Sequence, residues 1–206
     1  MNVITISREF GSGGRELGKR LADLLGYTYY DKEIEEAVAQ HMNMDAGYVG
    51  QSIEQGMLVN IPLHFGRTLA STYILKQQVE ILVEKQRVLK EIAVKSNCVI
   101  VGRAADVILA EYNPCKIFVY ADMAHKVERC QKYAETEEKK ALHELEREIR
   151  RVDARRADYH TMFSDKKWGN KENYHLCVNT SGLQISAVAP HIVEYTKVWF
   201  SANRQD

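Results

Sequence analysis

No stretch of this 206-residue chain approaches the ~20 consecutive apolar residues that a membrane-spanning helix needs. No signal peptide is visible either. Met1 leads at once into Val3, Ile4, Thr5 and Ile6, and charges follow at Arg8 and Glu9. The expectation is a cytoplasmic protein with no membrane partner. Surplus charge of one sign is also missing, since 28 Lys and Arg stand against 28 Asp and Glu. A protein that coats nucleic acid needs a positive excess, so any basic function here has to come from a local cluster, and no nucleic-acid partner is expected. The four cysteines, Cys98, Cys115, Cys130 and Cys177, contain no C-x-x-C pair, and three lie in apolar runs. They read as free thiols of a reducing compartment. The histidines lack metal-ligand spacing, and His41, His64 and His125 read as surface or boundary residues. Repeats, low-complexity runs and linkers are absent. What remains is one domain, residues 1–206, with 45% hydrophobic residues to build its core.

The apolar pattern then gives the order of elements. Residues 2–7 are short, apolar and β-branched, as a buried strand is. Leu17, Leu21, Leu24 and Leu25 share one face of a helix, and Gly26 stands where a C-cap belongs. Residues 27–30 form a short aromatic strand, with a helix over 32–40 to follow. Residues 41–62 carry Gly47, Gly50, Gly56 and Pro62 without a clean period, so irregular structure with one short helix is expected there. Leu75, Val79, Leu82, Leu89 and Ile92 make an interrupted stripe on a helix over about 63–95. Strands follow at 98–101, 116–120 and 174–179, and helices at 104–111, from 122, over about 137–159 and at 183–200. Buried strands alternating with helices predict an α/β fold with a parallel sheet.

The first strand runs into Arg8, Glu9, Phe10, Gly11, Ser12, Gly13, Gly14, Arg15 and Glu16 before an amphipathic helix begins. Three glycines in four positions let backbone N–H groups turn inward, and a helix N-terminus adds partial positive charge, so this turn is a phosphate-site candidate. A tight glycine turn without a ligand is the plainer reading. Gly13, Gly18 and Lys19 also satisfy G-x-x-x-x-G-K. That match is rejected, because Gly18 and Lys19 fall inside the helix and position 20 is Arg rather than Ser or Thr.

Four segments resemble the cytidylate kinase-like family: residues 7–18 (SREFGSGGRELG), 30–34 (YDKEI), 100–103 (IVGR), and the stretch from Arg151-Val152-Asp153 to Asn179-Thr180-Ser181. The resemblance implies a three-layer P-loop fold with a five-stranded parallel sheet. It implies a nucleotide-binding insert at about 41–65 and an arginine-bearing lid at about 147–172. ATP and Mg²⁺ would be the cofactors, small-molecule nucleotides the partners, and a nucleoside monophosphate such as CMP or dCMP the acceptor. Gly11, Ser12, Gly13, Gly14, Arg15, Glu16 and Arg8 would surround the donor phosphates. Three departures bear on catalysis. Gly14 stands at the phosphate lysine, Glu16 at the Mg²⁺-binding threonine, and Val101 where the related kinases have Asp. Arg8 or Arg15 could supply charge instead, although Arg is not a drop-in lysine. Glu16 either holds Mg²⁺ by its carboxylate or caps the helix.

Arg103 follows a buried strand at the sheet edge where open α/β sheets bind ligands, and the resemblance makes it an acceptor contact; a surface salt bridge is the alternative. Asp31 is placed in the same way after the second strand, as an N-cap or a substrate contact. Arg147, Arg151 and Arg155 share a helix face with Glu144 and Glu148 nearby, which is either a solvated ion-paired face or part of a lid. The resemblance implies a lid in which Arg151 and Arg156 approach the transferred phosphate. Arg67 is a weaker acceptor-site candidate. Trp168 and Tyr174 read as packing residues. Two functions follow: a phosphotransferase using ATP, or a nucleotide-responsive binding protein that kept the fold and lost the chemistry.

Overall fold

The computed structural model describes residues 1–54, 68–133 and 141–203. Five parallel strands form one sheet in the order β2-β3-β1-β4-β5. They are β1 (Val3–Arg8), β2 (Thr28–Tyr30), β3 (Cys98–Val101), β4 (Cys115–Tyr120) and β5 (Leu176–Asn179). β1 is central, with Ile4 opposite Val99 on one side and Cys115 on the other. Its residues read as one continuous apolar run because both faces of the sheet are covered.

Successive side chains alternate between those faces. Ile4, Ile6, Val99, Val101, Ile117 and Val119 pack with α1 (Gly14–Leu25) and α8 (Ile185–Ala202). Val3, Cys98 and Ile100 pack on the other face with α2 (Glu33–Met42), α4 (Thr68–Lys95) and α5 (Ala105–Ile108). α3 (Ala46–Glu54) lies in the segment for which one short helix is expected, and it adds Val49 to the second core. α6 (Met123–Tyr133) and α7 (Leu142–Thr161) complete the chain order before β5. The expected start of α4 near 63 and the candidate Arg67 lie outside the described residues.

Two readings are corrected. In α4, Val79 is exposed, and the buried stripe runs through Ile81, Lys85, Val88, Leu89 and Ile92. Asp31 does not cap α2, because Lys32 occupies that position. Asp31 instead sits one residue beyond β2, buried, at the same sheet edge as Arg8, Gly102 and Thr180. That edge is the C-terminal one, where the crevices of open parallel sheets lie.

Candidate functional site

Between β1 and α1 the chain turns through Gly11 and Gly13, both with left-handed φ values, +75° and +81°. Its carbonyls are tied back to the protein. Ser12 Oγ donates to Glu9 O at 2.8 Å, Arg129 Nη1 to Gly11 O at 2.7 Å, and Thr180 Oγ1 to Ser12 O at 2.7 Å. The first bond of α1 runs from Leu17 N to Gly13 O, so the amides of Gly14, Arg15 and Glu16 precede it and have no partner within the helix. No side chain caps the helix at Gly13. The result is an anion cradle of unsatisfied N–H groups at a helix N-terminus. It opens on a cavity of about 740 Å³ lined by Gly11, Gly13, Gly14, Arg15 and Glu16 from the turn and by Arg129 and Cys130 from α6. Gly18 and Lys19 do lie inside α1, with Lys19 exposed on the rim of that cavity.

Ordered phosphates fit this cradle, because the amides and the cavity occur together. For Mg²⁺ the same wall offers the Glu16 carboxylate, now held by Arg20 Nε at 2.8 Å and approached by Tyr133 OH at 3.5 Å. Among the described residues no three His, Cys, Asp or Glu side chains are grouped to hold a metal. The donor set therefore suits an ion carried mainly by phosphate oxygens and water, which is how Mg²⁺ binds in many phosphoryl-transfer sites.

A second cavity, about 230 Å³, lies across Arg8 from the first. Asp31 is its hub. Arg15 Nε reaches Asp31 Oδ2 at 2.6 Å, while Arg8 and Arg103 stand 3.6 and 3.7 Å from Oδ1. Arg103 Nη1 also meets Glu35 Oε1 at 2.6 Å. Gly102, Arg103 and Ala104 are three successive residues with positive φ, two of them non-glycine. Such backbone is strained by ~1–3 kcal/mol per non-glycine residue, and here it turns Arg103 inward, to 9% exposure. Burial, the Arg156 guanidinium, and less strongly Arg103 and Arg15, pull the Arg8 pKa down to about 9 against the opposing pull of Asp31. Burial raises the Glu35 carboxyl above its usual range, opposed by Arg103 and Lys85. It also pushes Tyr29 up to about 12.

α7 forms the outer wall. Val152, Arg156 and Tyr159 face the second cavity at helical spacing, and Leu145, Glu148 and Arg156 face the first. Arg156 Nη1 donates to Arg8 O at 3.0 Å, and its guanidinium lies over the Phe10 ring at 5.6 Å. Asp153 binds the turn itself: Phe10 N donates to its Oδ1 at 2.6 Å, and Lys126 Nζ bridges Asp153 and Glu9 at 2.9 and 3.1 Å. Arg151 is exposed and lines neither cavity. At about 100° per residue it lies well round the helix from Val152 and Arg156, and Arg147 lies further still. The face shared by Arg147 and Arg151 is thus not the one turned to the site, although Arg155 at its edge lines the second cavity.

Five residues escape a reading of the sequence. Lys85 is fully buried, with Nζ 2.7 Å from Tyr159 OH; its one signal is a lysine four residues from both Ile81 and Leu89. His160 and Asp106 form a buried pair at 3.0 Å beside the second cavity. Lys126 and Arg129, on α6, look like ordinary solvated helix charges in sequence. Trp168 and Tyr174 both pack on Phe118, with ring centroids 5.2 and 5.0 Å away.

A parallel sheet in this order, a glycine turn folded over the start of α1 and an arginine-bearing helix above it define a P-loop kinase fold. An uncharacterized protein from Eubacterium ventriosum shares it at 22% identity and a TM-score of 0.69, over 96% of this chain and 99% of that one. Shikimate kinase from Bacteroides thetaiotaomicron is similar at 17% identity and a TM-score of 0.55, over 95% and 98%. A gluconokinase from Sinorhizobium meliloti is similar at 12% identity and 0.54, over 98% of both. The chain belongs to the cytidylate kinase-like family, whose profile it matches over residues 3–182. No curated protein sequence matches it.

Proposed function

We propose that this protein transfers the terminal phosphate of ATP to a nucleoside monophosphate such as CMP or dCMP. One observation carries the reading: the two cavities meet, and Arg8, Phe10, Arg15 and Arg156 line both. A phosphoryl group moving between a donor in the larger cavity and an acceptor in the smaller would pass through a cationic junction. Catalysis of this step is mostly positioning and charge neutralisation, and such a junction supplies both. In this reading the amides from Gly11 to Glu16 hold the donor phosphates, with Ser12 fixing the turn. Glu16 contributes an oxygen to phosphate-bound Mg²⁺. Asp31 and Arg103 orient the acceptor, and Arg67 is assigned to the acceptor side from sequence alone. Arg156 stabilises charge on the transferred group, and Arg151, which lines neither cavity, is the weaker lid candidate.

A second reading is favoured by the turn's own residues. Gly14 stands at the phosphate lysine, and Val101, fully buried beneath Gly18, brings no carboxylate to the site. A nucleotide-responsive binding protein would keep the cradle without turning over. A coupled assay of ATP consumption across CMP, dCMP and other acceptors separates the two. Turnover with one acceptor supports the kinase; bound ATP with every acceptor silent selects the binding protein; no ATP binding at millimolar concentration overturns both.

A further inference from the structure

The cation missing at position 14 has a structural counterpart. A Cβ built on Gly14 would fall 2.5 Å from Arg8 Cβ and 3.0 Å from Arg8 Cγ, so the Arg8 stem already fills the space that a side chain at 14 would enter. A Cβ on Gly102 would run into the Arg8 guanidinium. Two glycines, one opening α1 and one following β3, therefore frame one arginine, one beside its stem and one beside its head. Its backbone is held on both sides, since Glu9 N donates to Val119 O at 2.9 Å and Arg156 to Arg8 O. Pairing with Asp31 does not explain this slot, because Asp31 has a nearer partner in Arg15 and a third in Arg103. Four guanidiniums gather at this junction: those of Arg8, Arg15 and Arg103 stand on Asp31, Arg103 also meets Glu35, and Arg156 lies 3.9 Å from Asp153, which it shares with Lys126. A cluster of fixed guanidiniums at one junction is the chemistry that recognises a phosphate dianion.

We propose that Arg8, delivered from the end of β1, replaces the lysine of the glycine turn and grips the phosphoryl group at the junction of the two cavities, in a slot that exists because residues 14 and 102 are glycine. The proposal rests on the kinase reading above. In the transfer, the bond from the γ-phosphorus to its bridging oxygen breaks as the bond from the acceptor oxygen forms. ADP leaves with the bridging electron pair, and any proton on the acceptor oxygen goes to solvent. Arg8 keeps its proton throughout and neutralises charge on the non-bridging oxygens. A guanidinium suits that task because its planar fork meets two oxygens at once.

The test is Arg8→Met, which keeps the stem and removes the charge, with ATP and inorganic pyrophosphate titrated calorimetrically and thermal unfolding followed on the same preparation. Both ligands should bind about tenfold more weakly or worse, the loss of one charge-assisted contact. The melting temperature should hold or rise, since a desolvated charge crowded by three arginines has gone. Arg8→Lys, which keeps a charge without the fork, should lie between the two and serves as the measure if Arg8→Met does not fold. Wild-type binding that persists undiminished in the variants overturns the role of Arg8 alone. Loss of binding with a matching fall in melting temperature makes Arg8 structural and overturns it too. Failure of the wild-type protein to bind either probe overturns the kinase reading, and this inference with it.

Discussion

The chemistry of the candidate site rests on single side chains, and Arg156 separates the readings best. The sequence places it in a polar stretch; the structure leaves its side chain only 26% exposed, bonded to Arg8 O and set over Phe10. Arg156→Ala loses a charge-assisted hydrogen bond and a 3.9 Å ion pair with Asp153 but relieves repulsion on Arg8, so stability should change by less than ~1 kcal/mol. If it meets charge that develops only in the transition state, kcat should fall by ~10³. Arg151→Ala is the internal comparison. Its side chain is exposed and off the cavity face, so kcat should fall far less than in Arg156→Ala and the melting temperature should stay at the wild-type value. Equal losses in the two variants would mean that α7 acts through its overall charge rather than through one residue.

At the scale of elements, the glycine turn and α7 are fastened to each other. Lys126, only 5% exposed, ties Glu9 of the turn to Asp153 of α7, and Asp153 holds the amide of Phe10. Removing one member of a buried ionic group leaves its partners uncompensated, so Lys126→Met should destabilise the protein by ~3 kcal/mol. Denaturant unfolding measures that directly, and a loss below ~0.5 kcal/mol would show the tether to be solvated. The turn has a second constraint in Gly13. Its φ of +81° is costly for any other residue, and an added Cβ would come within 2.7 Å of Ile185 Cδ1 on α8. Gly13→Ala should therefore cost ~1–3 kcal/mol and weaken ATP binding together, since strain and displacement act on the same amides. A variant as stable as wild type would mean that the turn has slack and its glycines are not required by packing.

For the whole molecule, a phosphate-binding turn predicts a linked response to anions. Any ion that binds the folded state alone raises its stability by mass action. Sulfate or phosphate should raise the melting temperature more than chloride at equal ionic strength, and ATP should shift the amide NMR signals from Gly11 to Arg15. Identical curves in the two salts, with unmoved amides, would remove the phosphate site. The core adds a pH dependence. Burial pushes the thiols of Cys98 and Cys115 up to about 12. The unfolded chain loses these protons first, near the ordinary value of about 8.5. Their contribution to stability is thus fully present below that value and is lost as pH rises toward about 12. Denaturant midpoints taken at about pH 8 and about pH 10 should show the decline, and replacing both cysteines with alanine should flatten it.

The sequence determined the elements and their order, because burial on both faces of the sheet writes itself as apolar runs such as Val3–Ile6, and helices as spaced stripes such as Leu17 and Leu21. It also marked the turn after β1, since closely spaced glycines reach left-handed φ values such as those of Gly11 and Gly13 at little cost. The tertiary structure decided which charges act together. Asp31 stays open between a helix cap and a substrate contact until three arginines from β1, α1 and the turn after β3 meet on it. The sequence offers Arg151 and Arg156 alike as lid arginines until the packing of α7 turns Val152, Arg156 and Tyr159 to the cavities and leaves Arg151 outside them. Lys85, Lys126 and the His160–Asp106 pair stay silent in sequence for one reason. Whether a charge is solvated or buried depends on neighbours distant along the chain, and periodicity within one helix carries no information about them.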